Sequence, residues 1–213
     1  VTVPSRFTRE RVIERLRVAP ARVEVVPWWV APPRRQDTSE LFPLPPTLGG
    51  DRFVLYPAIT YPHKRHDVLL DAFDLLRRSG ADVDVTIVGR EGWLSTDIAD
   101  RLRAHPDLGG RLRWLVSPDD LTVRTVARQC SIGVFPSADE GFGLFLEEGL
   151  THGLKMVVSD IPAFRERAMP NVSFTERTPQ ALADAIATAH ATPWEPLAPG
   201  QVRSMRDFGR DLA

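Results

Sequence analysis

From Phe53 onward, short apolar runs alternate with segments of helical period, and this alternation leaves very few folds open. The runs are Phe53 to Tyr56, Val83 to Val88, Leu112 to Val116, Ile132 to Phe135, Met156 to Ser159 and Val172 to Phe174. They are apolar on both faces rather than at every second residue, the pattern of strands covered on both sides. Between them lie helical segments at 67–79, 96–104, 144–152, 162–168 and 179–191, and one that ends at Cys130. The first has Val68, Leu69, Ala72, Phe73 and Leu76 on one face, and the second turns inward through Ile98 and Leu102. Ser117 and Asp120 have capping-box spacing ahead of the helix that ends at Cys130. The alternation predicts an α/β fold, a doubly wound parallel sheet with helices on both faces.

The chain before Phe53 reads differently. Residues 6–17 fit a helix with Ser5 as N-cap and Phe7, Val12, Ile13 and Leu16 on one side. Val23 to Val26 is a short β-branched strand stopped by Pro27. Six prolines and Gly49-Gly50 fill residues 27–50, a linker composition. The expected organisation is a short first element at 1–30, a linker at 31–50, the main α/β body at 51–192, and a proline-interrupted tail at 193–213 with a last helix over 202–212. The opening at Val1 falls inside a strand-to-helix pattern, so further residues are expected upstream. Trp28 and Trp29 fit either an interdomain surface or a core.

Composition narrows the function classes. With 213 residues and a formal net charge of -1, nothing in the global charge favours nucleic acid as a partner. No apolar run approaches the ~20 residues that span a bilayer. The single cysteine, Cys130, excludes an intrachain disulfide and a cysteine zinc cluster; it reads as a small buried hydrophobe. A cytoplasmic setting is the expectation.

Ligands of a doubly wound sheet sit at the carboxyl ends of its strands, and the residues that can do chemistry fall there. His63-Lys64-Arg65-His66 follows the first strand of the body, Gly89-Arg90-Glu91-Gly92 the second, and Ser117-Pro118-Asp119-Asp120 the third. The fourth runs into Pro136-Ser137-Ala138-Asp139-Glu140-Gly141-Phe142-Gly143-Leu144 and then a helix carrying Glu147 and Glu148. Glycines let a backbone approach a ligand, and a helix N-terminus offers N–H groups to an anion. The amides of Phe142, Gly143 and Leu144 would face a diphosphate. Carboxylates on either side suit vicinal hydroxyls, which they accept in a fork: Glu148 toward a ribose and Glu140 toward a second set of hydroxyls, such as a transferred sugar. Lys64 is the expected phosphate cation, with Arg65 able to share the role. Gly89 and Arg90 would line the base or diphosphate side. Asp119 or Asp120 could read a guanine edge or simply cap a helix. Glu147 is expected at the surface or as a capping residue, Gly153 as a helix stop, and no metal site is expected at His63 and His66.

These segments resemble retaining glycosyltransferases of family 4, which have the GT-B fold. Pro136 through Glu148 resembles the family's signature, and Val3-Pro4-Ser5-Arg6-Phe7-Thr8 its segment ahead of the interdomain linker. Lys64 with Asp67, Leu69, Leu70, Ala72 and Phe73 resembles its donor-site lysine and following helix. Ile87-Val88-Gly89, and Val157-Val158-Ser159-Asp160 with Glu166, also match. Two departures stand out. The family has an arginine about six residues before the lysine, where this chain has Ala58-Ile59-Thr60. Its Asn-Gly after the linker strand is replaced by Trp28-Trp29. Residues 58–64 instead resemble a subgroup among polysaccharide and O-antigen mannosyltransferases.

The resemblance implies the Rossmann-like, nucleotide-sugar-binding half of a two-domain enzyme. Residues 1–30 would be the last element of an acceptor domain, which could hold the enzyme at the inner face of a membrane. Lys64 and Glu140 would be catalytic. Donor binding would fall to Arg65, Gly89, Arg90, Pro118, Asp119, Gly141, Phe142, Gly143, Leu144 and Glu148. The expected reaction is transfer of a hexose, with mannose the favoured sugar, from a nucleoside-diphosphate sugar (GDP-mannose or a UDP-sugar) to a hydroxyl of a sugar or lipid-linked acceptor, with retention and no cofactor. A non-catalytic nucleotide-sugar module and a sugar-nucleotide epimerase of the same fold are the alternatives.

Overall fold

The computed structural model describes residues 1–30, 53–193 and 204–212. The linker expected at 31–50 and residues 194–203 of the tail lie outside the described residues.

Six parallel strands form the central sheet: β3 (Phe53–Pro57), β4 (Asp84–Val88), β5 (Leu112–Leu115), β6 (Ile132–Phe135), β7 (Lys155–Ser159) and β8 (Val172–Thr175). Their spatial order is β5-β4-β3-β6-β7-β8. The chain works outward from β3 to β5, crosses back through α4 (Asp120–Gln129), and continues the other way from β6. Order therefore reverses between β3 and β6, where Leu55 is in register with Thr86 on one side and Gly133 on the other. A doubly wound sheet opens its ligand crevice at this reversal. One hydrogen bond spans the crevice floor, from the Ala138 N–H to the His63 carbonyl at 2.7 Å.

The helices follow from their sequence period. α2 (His66–Arg78) buries Val68, Leu69, Ala72, Phe73 and Leu76, the face that the spacing predicts, and lies against α7 (Pro179–Ala191). The remaining helices of the body are α3 (Thr96–Arg103), α5 (Leu144–Thr151) and α6 (Pro162–Arg165), the last shorter than the sequence predicts. Tyr56, Phe53, Phe73 and Phe164 are the largest fully buried side chains and fill the layers on either side of the sheet. Each contributes about 1.5–3 kcal/mol of apolar burial. Cys130 belongs to this core, and burial pushes its thiol up to about 12.

Two helix expectations need correction. The N-cap of α4 is Asp119, whose carboxylate accepts from the Thr122 N–H at 2.7 Å. Ser117 does not serve: its φ of 50° is left-handed, and the capping bond to the Thr122 N–H comes from Asp119 with extended backbone. The second correction concerns α1 (Arg6–Leu16), which begins at its predicted cap, Ser5, but buries no residue along its length; Leu16 is 69% exposed. What docks is its amino end. The N–H groups of Arg6 and Phe7 donate to the two carboxylate oxygens of Glu166 at 3.0 and 2.8 Å.

α1 joins β1 (Thr2–Val3) to β2 (Glu24–Val25), a parallel pair separate from the main sheet. A last helix, α8, spans Met205–Leu212. Among the described residues, no helix is long and apolar enough to cross a membrane.

Candidate active site

At the carboxyl edge of β3 and β6 lies a cleft of about 660 Å³. Its walls come from three parts of the chain: Pro4, Thr8 and Trp28 before the main sheet, residues Pro57 to Lys64 after β3, and residues Phe135 to Glu148 around the start of α5. An apolar slot of about 260 Å³ adjoins it and shares Pro57, Phe145 and Glu148. Val123, Arg124 and His152 stand further along that slot.

Lys64 ends a single 3₁₀ turn, Pro62–Lys64, which proline starts by fixing its own φ. Its carbonyl accepts the phenolic proton of fully buried Tyr56 at 2.6 Å, so the loop is tied to the sheet beneath it. The ammonium lies 2.5 Å from Glu140 Oε1 and 4.9 Å from the centre of the Phe135 ring. Both partners are mostly shielded from water, at 19% and 12% side-chain exposure. The lysine and the glutamate, 76 positions apart in sequence, thus share one side of the cleft.

The glycine turn is built around a left-handed residue. Gly143, with φ 86°, is the N-cap of α5 and supplies no side chain to its amides. A Cβ there would stand 2.5 Å from the Phe164 ring, so both conformation and space demand glycine. Among the described residues, the N–H groups of Gly141, Phe142, Gly143 and Leu144 find no protein acceptor. An uncapped helix start of this kind holds partial positive charge.

Behind the turn stands a pair that the sequence did not announce. Glu147, expected at the surface, is buried and forms an ion pair with Arg167, whose guanidinium lies 4.8 Å from the Phe142 ring centre. The turn of helix that puts Glu148 toward the cleft rotates its neighbour inward, so Glu147 needs a cation. Trp28 closes the other side of Phe142, edge to face at 5.5 Å. Glu148 is reached by water through the cleft and lines both cavities, and its apolar surroundings raise its carboxyl above the usual range.

Lys64, Glu140, Gly141, Phe142, Gly143, Leu144 and Glu148 therefore meet in one place. Five other expected residues do not line the cleft or its adjoining slot. Arg65 is left-handed, with φ 54°, and its guanidinium forks onto Asp67 at 2.9–3.1 Å. Arg90 is exposed. Gly89 is a packing residue: a Cβ there would lie 2.3 Å from the Ala58 carbonyl, and its own carbonyl accepts from the Trp114 indole at 2.8 Å. Asp119 is spent on capping α4, whose backbone N–H bonds hold its carboxyl below the ordinary range, and Pro118 precedes it in the same turn. The two histidines also part company. His66 is buried against Tyr56, ring centres 4.8 Å apart, while His63 stacks on Tyr61 at 5.9 Å.

The family profile described as Glycosyl transferases group 1 matches residues 51–191. A serotype-specific mannosyltransferase, WbdA, of Escherichia coli is 36% identical over 127 residues, covering 59% of this chain and 16% of that protein. A phosphatidyl-myo-inositol mannosyltransferase of Mycolicibacterium smegmatis is 35% identical over 130 residues, covering 60% of this chain and 32% of that protein. The chain thus spans less than a third of either relative's length. In structure it resembles HepE of Anabaena, solved in complex with UDP and glucose, with a TM-score of 0.68 at 18% identity over 90% of this chain and 53% of that one.

Proposed function

The chain belongs to the glycosyl transferases group 1 family, and on that premise we propose that its cleft holds a nucleoside-diphosphate sugar and serves transfer of the hexose to an acceptor hydroxyl with retention. The observation that carries this reading is the Lys64–Glu140 pair facing an uncapped helix start across one cleft. A diphosphate is the ligand that needs both a lysine and free backbone amides. On its arrival Lys64 exchanges Glu140 for phosphate oxygens, and Glu140 is released toward hydroxyls of the sugar.

The chemical step separates negative charge onto the leaving diphosphate. Lys64 and the amides of residues 142–144 are placed before the reaction and need no rearrangement to stabilise that charge. Glu148 takes the ribose hydroxyls at the mouth of the adjoining slot, and the slot's apolar walls take the base. We propose mannose from GDP-mannose as the donor. This rests on the mannosyl relatives rather than on Asp119, which is occupied as a cap. The names of those relatives support a saccharide or lipid-linked acceptor.

Melting-temperature shifts against GDP, UDP and ADP test the donor class, since a ligand of the folded state alone raises apparent stability. GDP should give the largest shift, and equal shifts for all three would remove the base assignment. Product analysis by NMR, with the anomeric configuration of the donor kept in the product, tests retention. An inverted product would overturn it, and an epimerised donor with no transfer would favour the epimerase alternative.

A further inference from the structure

The carbonyl of Gly141 carries an unusual load. The Ser5 hydroxyl lies 2.5 Å from it and the Thr8 hydroxyl 2.8 Å, so both of its lone pairs face the first turn of α1. Ser5 is 2% exposed and at the same time accepts from the Thr8 N–H at 3.0 Å. The Ser5 hydroxyl also lies 2.9 Å from Thr8 Oγ1, so its one proton is shared between that oxygen and the Gly141 carbonyl. Whichever way the Ser5 proton points, the Thr8 hydroxyl keeps its own proton for Gly141 at 2.8 Å, so the carbonyl holds at least one bond from α1.

α1 itself is clamped by a second contact, the Glu166 carboxylate on the Arg6 and Phe7 amides at 3.0 and 2.8 Å. The two contacts hold α1 against both the glycine turn and the residues after α6, although its own strand pair does not join the main sheet.

Peptide geometry turns this clasp into a statement about the cleft. The chain has no cis peptide among its described residues. In a trans peptide the N–H lies opposite the C=O of the same unit. Pinning the Gly141 oxygen onto α1 therefore aims the Phe142 N–H away from α1, and no protein group among the described residues accepts it. Without the clasp, this peptide turns about Gly141 ψ and Phe142 φ, and on the Gly141 side no side chain restrains it.

We propose that Ser5 and Thr8 are positioning residues for the donor site: they fix the Gly141–Phe142 peptide so that its N–H is presented to the diphosphate. This deepens the function proposed above and rests on it. It also gives a segment 136 residues away in sequence a part in phosphate binding.

The test compares affinity for a nucleoside diphosphate with that for its monophosphate, by calorimetry, using GDP with GMP and UDP with UMP. Thr8→Val keeps the shape and leaves Ser5 as the cap. The diphosphate-to-monophosphate affinity ratio should fall about tenfold, the worth of one well-placed hydrogen bond. Thr8→Ser should restore it, and the melting temperatures of all three forms should stay close together. A ratio unchanged in Thr8→Val and in the double variant Ser5→Ala/Thr8→Val, with the wild-type chain binding normally, overturns the clasp alone. A wild-type chain that binds neither GDP nor UDP removes the nucleotide reading of the cleft, and the clasp's role with it.

Discussion

Two glycines two positions apart should behave very differently. Gly143 combines a left-handed backbone with a Cβ position 2.5 Å from the Phe164 ring, whereas a Cβ on Gly141 would meet nothing nearer than the Thr8 hydroxyl at 3.4 Å. Gly143→Ala should cost more than about 1 kcal/mol of stability from its backbone alone, and should abolish nucleotide binding. Gly141→Ala should fold normally and bind within a fewfold of wild type. Parallel urea titrations and calorimetry check both, and equal effects at the two positions would contradict the account of the turn. Glu148 gives a pH signature. Its carboxyl is raised by its apolar surroundings, so it gains a proton at a higher pH than an ordinary glutamate. A neutral carboxyl accepts hydroxyl protons poorly. Donor affinity should therefore weaken as pH falls through that raised value, and Glu148→Gln should bind weakly with this step removed. Calorimetry across mildly acidic pH reads it.

At the scale of elements, α2 carries a buried histidine at its start, His66, 1% exposed and with its pKa lowered to about 4 by burial. The folded state keeps this imidazole neutral where the unfolded chain, with an ordinary value near 6.5, takes up a proton. His66 thus favours folding fully above about pH 6.5, and this contribution is lost as pH falls from about 6.5 toward about 4, up to roughly 3 kcal/mol in all. Urea midpoints at pH 7 and pH 5 should show the loss, and His66→Gln should flatten it. α4 offers a separate check: Asp119→Ala should lower the melting temperature modestly while leaving GDP affinity within a fewfold, because Asp119 caps α4 and itself lines neither the cleft nor the slot. A large loss of GDP affinity would restore the base-reading role. These elements also show what a sequence can and cannot tell. Both-face apolar strands and the stripe on α2 were legible because each rests on local period. The capping-box spacing pointed to Ser117, whose left-handed φ leaves no compositional trace, whereas the capping reading of Asp119 holds. The Glu147–Arg167 pair and the Ser5–Thr8–Gly141 clasp join residues far apart in the chain, and no local pattern announces such contacts. Lys64, Glu140 and Glu148 were legible for a different reason: the ends of parallel strands meet at one edge whatever the loops between them do.

The whole molecule is a sheet whose reversal point opens a crevice, with α1 pinned across one wall. On the proposed function, the Lys64–Glu140 pair is the resting form of a diphosphate site, so ligand and ion pair compete for the same ammonium. GDP and GDP-mannose should both bind the wild-type chain, and Lys64→Gln should lose both by more than about tenfold, the scale of a charge-assisted hydrogen bond. Glu140→Gln is the decisive variant. It removes the carboxylate that holds Lys64 without touching the amides, so it should bind GDP at least as tightly as wild type while binding GDP-mannose no better than GDP. Calorimetry of those two ligands on wild type, Lys64→Gln and Glu140→Gln measures this directly. A Glu140→Gln variant that loses GDP as severely as Lys64→Gln, or that keeps a full preference for the sugar-bearing donor, would contradict the account.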